Sequence, residues 1–368
     1  MLTEFHQNHG RAFVEAGGVQ IPAYYESAGG EFRAAQTAAM MDRSFIGKLR
    51  VLGKDRESLL HRLTTNEMRH LKISGGVVNI FTNAKGRVVD VVEMFVEADS
   101  IFLLTSPGRA ALVKGWIEKY TFIEDVRSEE VTSHYGVISL FGAESAARLH
   151  QVFGWDVHDL PAQQARVCVW DGQAVVVQRS GAIAPVDFNL IVPAAEMKKF
   201  WASLLAQATP LGFAAYERLR IHRGLPAVGK EITDEYNPHE VGLYPFIDFE
   251  KGCYIGQEVI ARLDTYQKVQ RQLFGIELEI DENQASRLAS MPAPIYAGEQ
   301  LIGQLTSLCF SPERGGGLGL AVIRKQFAAP ADPVQVRWPE HTAAGKLQIL
   351  SLNPNNLNEQ SKFLWKQN

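Results

Sequence analysis

"VCVWDGQAVVVQ", residues 167–178, sets an Asp-Gly pair between two alternating apolar runs. That dipeptide suits the left-handed two-residue turn that joins right-twisted hairpin strands. The stretch therefore predicts a β-hairpin, and its neighbours extend the pattern. "YGVISLFG" (135–142) and "FNLIVP" (188–193) read as strands. "AESAARLHQVF" (143–153) and "AEMKKFWASLLAQA" (195–208) read as helices by their apolar spacing.

An earlier set repeats this order. "FIGKLRVLG" (45–53) predicts a strand and "DRESLLHRLTTNEM" (55–68) a helix with Leu59, Leu60 and Leu63 on one face. "VVNIF" (77–81) and "RVVDVVEMFVE" (87–97) flank "TNAKG", which predicts a second hairpin. "SIFLLTS" (100–106) is a third strand, and Pro107 is read as opening a helix with Leu112, Trp116 and Tyr120 along one side. Two such sets predict two packed α+β units. "AAYERLRIHRGLP" (214–226) reads as a helix stopped at Gly224 and Pro226.

Beyond about residue 270 the character changes. "RQLFGIELEI", "QLIGQLTSLCF", "GLGLAVI", "VQVRW" and "KLQILSL" are short strand-like runs split by Gly and Pro. They predict a small all-β, barrel-like domain. The expected division is a body over 1–270 and a barrel over 271–368. "SPERGGGLGL" (311–320) has no strand-to-helix setting and no following Lys-Ser/Thr, so it reads as a loop between strands, not a phosphate cradle.

The 368 residues carry a net charge of −4, with 46% hydrophobic and 21% charged residues. This balance is that of a soluble globular protein and argues against a dedicated nucleic-acid binder. No apolar run reaches the length of a membrane span, and no secretory signal is expected at the start. Three widely spaced cysteines, Cys168, Cys253 and Cys309, suggest no disulfide framework and fit a reducing cytoplasm. No C-x-x-C or H-E-x-x-H occurs, so no metal site is expected.

Cys253 stands in "EKGCYIGQEVIAR" (250–262), just ahead of a helix read from Gly256 to Leu263. Helix N–H groups and Lys251, two residues away, both favour a thiolate there. Such a thiolate attacks electrophiles or binds a soft metal, whereas a plain cysteine is a small filler. Cys168 and Cys309 alternate with strand residues and read as core. Glu258 and Arg262, four apart, suit an ion pair.

"KGCYIGQEVIAR" resembles the signature of the YgfZ family, folate-binding proteins that assist iron–sulfur enzymes. That family is similar to the T-protein of the glycine cleavage system, a tetrahydrofolate-dependent aminomethyltransferase. "DRSFIGKLRVLGKDRESLLHRLTTNEM", "IFTNAKGRVVDVVEMF", "ERLRIHRGLPAVGKEITDEYNPHEVGL" and "GEQLIGQLTSLCFSPERGGGLGLAVIRK" resemble further blocks of the T-protein, in order, over most of 40–325. The resemblance implies a T-protein-like α+β fold: two α+β units plus a C-terminal β-barrel around a central cavity. It also implies a tetrahydrofolate ligand and a working role for Cys253, since the T-protein lacks a cysteine in that slot.

A folate site needs an acceptor for the pterin N–H edge, an apolar wall and a cation for the carboxylate tail. Asp90 interrupts "VVDVV" and matches the first of two adjacent T-protein acids, while Val91 replaces the second. Glu240 in "NPHEVGL" resembles a T-protein position near the central cavity. Tyr120 and Phe122 are candidate walls, and Arg223 and Arg262 candidate tail binders. The signature adds Lys251, Tyr254 and Gln257 to the folate-binding candidates. His222 and His239 read as structural. One departure stands out: where the T-protein has a pterin-holding glutamate, "SGAIAPVDFNLIVP" (180–193) puts Pro185, which offers no acceptor.

Three functions follow. The first is an accessory factor that assembles or repairs iron–sulfur clusters in client enzymes, with tetrahydrofolate in the cavity and Cys253 at its rim as redox thiol or transient ligand. The second is a tetrahydrofolate-dependent aminomethyltransferase or methyltransferase using Asp90. The third is a protein-binding scaffold that kept the fold and lost the ligand.

Overall fold

The computed structural model describes residues 1–180, 186–289, 291–327 and 333–350. These group into two compact units. One comprises Met1–Thr82, Val89–Tyr216 and Glu250–Ile255; the other comprises Asn83–Val88, Glu217–Phe249 and the described part of Gly256–Asn368.

The first unit holds two sheets. The five-stranded one is ordered Gly76–Thr82, Val88–Val96, Ser100–Pro107, Ile46–Leu52, Arg127–Glu130. Leu49, Val51, Val92, Met94, Ile101 and Leu103 of this sheet pack against Leu59, Leu60 and Leu63 of helix Arg56–Leu63 and Val113 and Ile117 of helix Ala110–Lys119. The six-stranded sheet is ordered Ala165–Trp170, Gln173–Arg179, Phe188–Pro193, Tyr135–Phe141, Ala39–Asp42, Thr209–Pro210. Its apolar side meets Leu149 of helix Ser145–Phe153 and Phe200, Trp201 and Leu204 of helix Met197–Leu204. The hairpin at 165–179 forms as expected, with Asp171 and Gly172 at φ 50° and 77°. An N-terminal hairpin, Arg11–Ala16 with Val19–Tyr24, completes the unit.

Three local readings are corrected. The helix after residue 55 ends at Leu63, because Thr64 turns extended and bridges Phe81. Pro107 closes a strand; the next helix begins at Ala110, after Gly108 has turned the chain at φ 70°. The buried stripe of that helix is Ala110, Val113 and Ile117, while Leu112 lies exposed.

In the second unit six strands close a barrel, in the order Arg271–Leu278, Gly316–Arg324, Gln300–Ser311, Ala293–Ala297, Pro333–Trp338, His341–Ile349 and back to the first. Helix Glu282–Leu288 adds Ala285 and Leu288 to its core. The glycine run is mostly strand: a Cβ at Gly319 would stand 2.6 Å from the Ser307 carbonyl oxygen, so glycine there permits close strand approach. A buried network ties the barrel to the preceding loop. Glu231 accepts from the Ser307 and Thr306 hydroxyls at 2.6 Å each and from Arg220 Nη1 at 3.2 Å.

Candidate functional site

Helix Arg56–Leu63 ends with carbonyls that no later turn can use. The Lys251–Ile255 loop supplies the missing donors. Lys251 Nζ donates to the carbonyls of His61 (2.6 Å), Thr64 (2.6 Å) and Asn66 (2.9 Å). The Ile255 amide donates to Arg62 O at 3.1 Å, and the Thr82 hydroxyl donates to Ile255 O at 2.5 Å. The loop is thus stapled on both sides of Cys253, whose own side of the loop is exposed. Lys251 is buried, and its three ammonium hydrogens match these three carbonyls. The sequence-based assignment of Lys251 to the thiol or to a ligand therefore meets a competing structural role. Tyr254 is buried, with the Lys251 ammonium 5.2 Å from its ring centroid.

Beneath the loop, His61 is buried and its Nδ1 faces Glu67 Oε1 at 2.9 Å. A Cβ placed on Gly252 would stand 3.3 Å from His61 Nε2 and 3.7 Å from an Arg69 guanidinium nitrogen. Burial and the Lys251 ammonium push the imidazole below its usual range, against the pull of Glu67.

Asp90 lies fully buried in strand Val88–Val96. Its Oδ2 accepts the Ser106 amide N–H at 3.1 Å, and Oδ1 has no hydrogen-bond partner among the described residues. Burial pushes this carboxyl up to about 6, although hydrogen bonds from Ser106 and the charge of Arg109 pull the other way. It therefore exchanges its proton near neutrality. Glu93, three residues on, is buried but engaged: Gln178 Nε2 donates to it at 2.9 Å and Ser180 Oγ at 3.4 Å. The chain of bonds continues through Asn189 Nδ2 to Gln178 Oε1 at 3.1 Å and Ser139 Oγ to Asn189 Oδ1 at 2.7 Å. This polar chain joins the two sheets and leaves Asp90 Oδ1 as the open acceptor of its strand.

The sequence candidates divide between the units. Asp90, Tyr120, Phe122, Lys251, Cys253 and Tyr254 lie in the first; Arg223, Glu240, Gln257 and Arg262 lie in the second. Tyr120 packs edge-on against Trp116, whereas Phe122 leaves 80% of its surface exposed. Glu240 is buried and accepts from Asn237 N at 3.1 Å and Arg87 Nη1 at 3.4 Å. Arg223 is half-buried, and Gln257 opens helix Gln257–Thr265. Arg262 is exposed and makes no ion pair with Glu258 among the described residues. Pro185 lies outside the described residues. Sequence reading passed over His61, Glu67 and Glu93. Only Glu93 carried a signal, a charge within the apolar run "VVDVVEMF". Among the described residues no helix is long and apolar enough to cross a membrane.

Residues 2–251 match the GCVT N-terminal domain, and residues 271–348 match the glycine cleavage T-protein C-terminal barrel domain. A putative chloroplastic transferase of Arabidopsis thaliana is 30% identical over 299 residues, covering 81% of this chain and 68% of the relative. An aminomethyltransferase of Aquifex aeolicus is 29% identical over 345 residues, covering 93% and 92%. The crystal structure of the glycine cleavage system aminomethyltransferase T from Bartonella henselae superimposes with a TM-score of 0.84 at 21% identity, over 98% of each chain.

Proposed function

Since the chain belongs to the glycine cleavage T-protein family, we propose that it binds tetrahydrofolate at Asp90 and acts on the one-carbon unit that this carrier bears, as an aminomethyltransferase or methyltransferase. The observation that carries this reading is the bare, buried Oδ1 of Asp90. A buried carboxyl oxygen without a donor is costly, and a reduced pterin is rich in N–H donors. When bound, tetrahydrofolate supplies an amine on which a one-carbon group travels. Asp90 accepts an N–H from it and, with its carboxyl held at about 6, gives or takes a proton at Oδ1 near neutral pH. Ser106 N–H fixes the other oxygen and so the plane of the carboxyl. The names of the aminomethyltransferase relatives support the reaction class. Titration calorimetry of tetrahydrofolate into the wild type and Asp90→Asn tests it. Binding should weaken by about tenfold or more in the variant, the size of one lost charge-assisted hydrogen bond. No binding to the wild type overturns the reading.

Cys253 favours a second reading. Its exposed thiol, held on a doubly stapled loop, suits a folate-binding accessory factor for iron–sulfur client enzymes in the cytoplasm, with the thiol as redox group or transient cluster ligand. Complementation of an iron–sulfur enzyme defect separates the two. Rescue lost in Cys253→Ser with folate binding intact supports the accessory role; full rescue by that variant removes it.

A further inference from the structure

We propose that Arg271 and Arg324, together with Lys325, form a binding site for a ligand that carries a phosphate or diphosphate group. The site lies wholly within the second unit and rests on neither the tetrahydrofolate nor the Cys253 reading. Its frame is the pairing of barrel strands Arg271–Leu278 and Gly316–Arg324, in which Arg271 stands opposite Arg324. The Lys325 amide donates to Gln270 O at 2.8 Å, so 270 and 325 form a hydrogen-bonded pair. The next pair, 271 and 324, is then of the other kind, whose side chains stand closest. Phe274 and Ile323 belong to the barrel core. Alternation from them puts Arg271 and Arg324 together on the outer face. Like charges directly opposite on one face destabilise a sheet, so the pair needs an anion.

The fold supplies none: among the described residues, the side chains of Arg271, Arg324 and Lys325 have no ion pair or hydrogen bond. Arg271 is nonetheless held in place, its guanidinium carbon 5.3 Å from the ring centroid of buried Tyr236. That contact uses the face of the guanidinium and leaves its N–H edge available. The three cations line a cleft of about 460 Å³ with Val269, Gln270 and Gln326, and none of these lining residues is acidic. The volume suits a small molecule. Arg324 and Lys325 are exposed, so a ligand reaches them from solvent. Charge and shape select its chemistry. Two guanidinium forks grip phosphate oxygens through paired N–H bonds, and the ammonium adds a point charge. A phosphate or diphosphate group offers more acceptor oxygens and more charge to three cations than a single carboxylate does.

The test is calorimetric titration of inorganic pyrophosphate into the full chain, with sodium chloride at matched ionic strength as the blank. Wild type should give a saturating one-site isotherm. Arg324→Gln, a change at an exposed residue, should weaken binding about tenfold or more. Arg324→Lys keeps the charge without the fork and should fall between the two. Arg271→Gln should match Arg324→Gln and serves as the second variant. Sedimentation with phosphatidylcholine vesicles carrying phosphatidic acid distinguishes the sources of the phosphate. Pyrophosphate binding without pelleting supports a soluble ligand, and pelleting that requires Arg324 supports a lipid headgroup. A wild type that responds to neither probe beyond the chloride blank overturns the proposal, and so do responses that Arg324→Gln and Arg271→Gln leave unchanged.

Discussion

The Asp90 carboxyl and the Ser106 amide are joined at 3.1 Å through one oxygen only, and the second oxygen is buried without a donor among the described residues. Half of this carboxylate is solvated by the fold and half is not. Strand Val88–Val96 carries two buried acids of opposite fate, since Glu93 is bonded by both Gln178 and Ser180. A fold optimised only for stability would finish both. The unfinished one is where ligand chemistry is expected, because a polar group left open in the protein is available to a partner.

Asp90→Asn should stabilise the protein at pH 8. The folded carboxyl titrates at about 6, above its ordinary 3.8, so the folded state binds its proton more tightly than the unfolded state does. Wild type therefore loses stability as pH rises from about 4 to about 6. Removing the charge should recover up to about 3 kcal/mol above that window, and nothing near pH 4. Urea denaturation of both proteins at pH 4 and pH 8 checks this. Equal midpoint differences at the two pH values refute it.

Lys251→Met should cost about 3 kcal/mol or more, since three carbonyls lose a charged donor at once and those of His61 and Thr64 stay buried. The change also unfastens one side of the Cys253 loop. A lower denaturant midpoint together with new proteolytic cleavage between residues 250 and 255 is the expected result. A change within about 0.5 kcal/mol would mean that water replaces the ammonium.

Much of the architecture is legible in the chain because strand alternation and turn chemistry are local. Phe188–Pro193 and the Asp171–Gly172 turn fall where their residues place them. Strand Ala293–Ala297 escaped, as Pro292 and Pro294 mask its β pattern, yet Pro294 pairs in register with Gln304 on one side only, the pairing with Pro333–Trp338 being confined to Ile295 and Tyr296. The N-terminal hairpin escaped too, its strand Arg11–Ala16 being mostly exposed and so lacking an apolar face to read. Asp90 was legible as a charge inside an apolar run. Lys251 looked like a thiol partner because Cys253 is close in sequence, but its carbonyl partners lie 185 to 190 residues upstream. His61 was invisible for the same reason: its neighbour Gly252 meets it only through the fold.

His222 should make the second unit acid-sensitive. The ring is buried, and desolvation together with the charge of Arg218 pushes it down to about 4, against the opposite effect of Glu313. Its ordinary value is near 6.5, so between about pH 6.5 and pH 4 the unfolded state holds a proton that the folded state refuses. Stability then falls as pH falls through that window, by up to about 3 kcal/mol from this residue. His222→Phe keeps a ring and removes the proton site. Its stability curve should be flatter than wild type over the same window, the difference growing toward pH 4. Asp90 has the opposite sign there, because its protonation favours the folded state as the pH falls. The two variants should consequently diverge: relative to wild type, Asp90→Asn loses its advantage as pH falls toward 4, while His222→Phe gains one. Denaturation midpoints at pH 7, 6, 5 and 4 decide it, and a His222→Phe curve parallel to wild type would show that the imidazole titrates alike in both states.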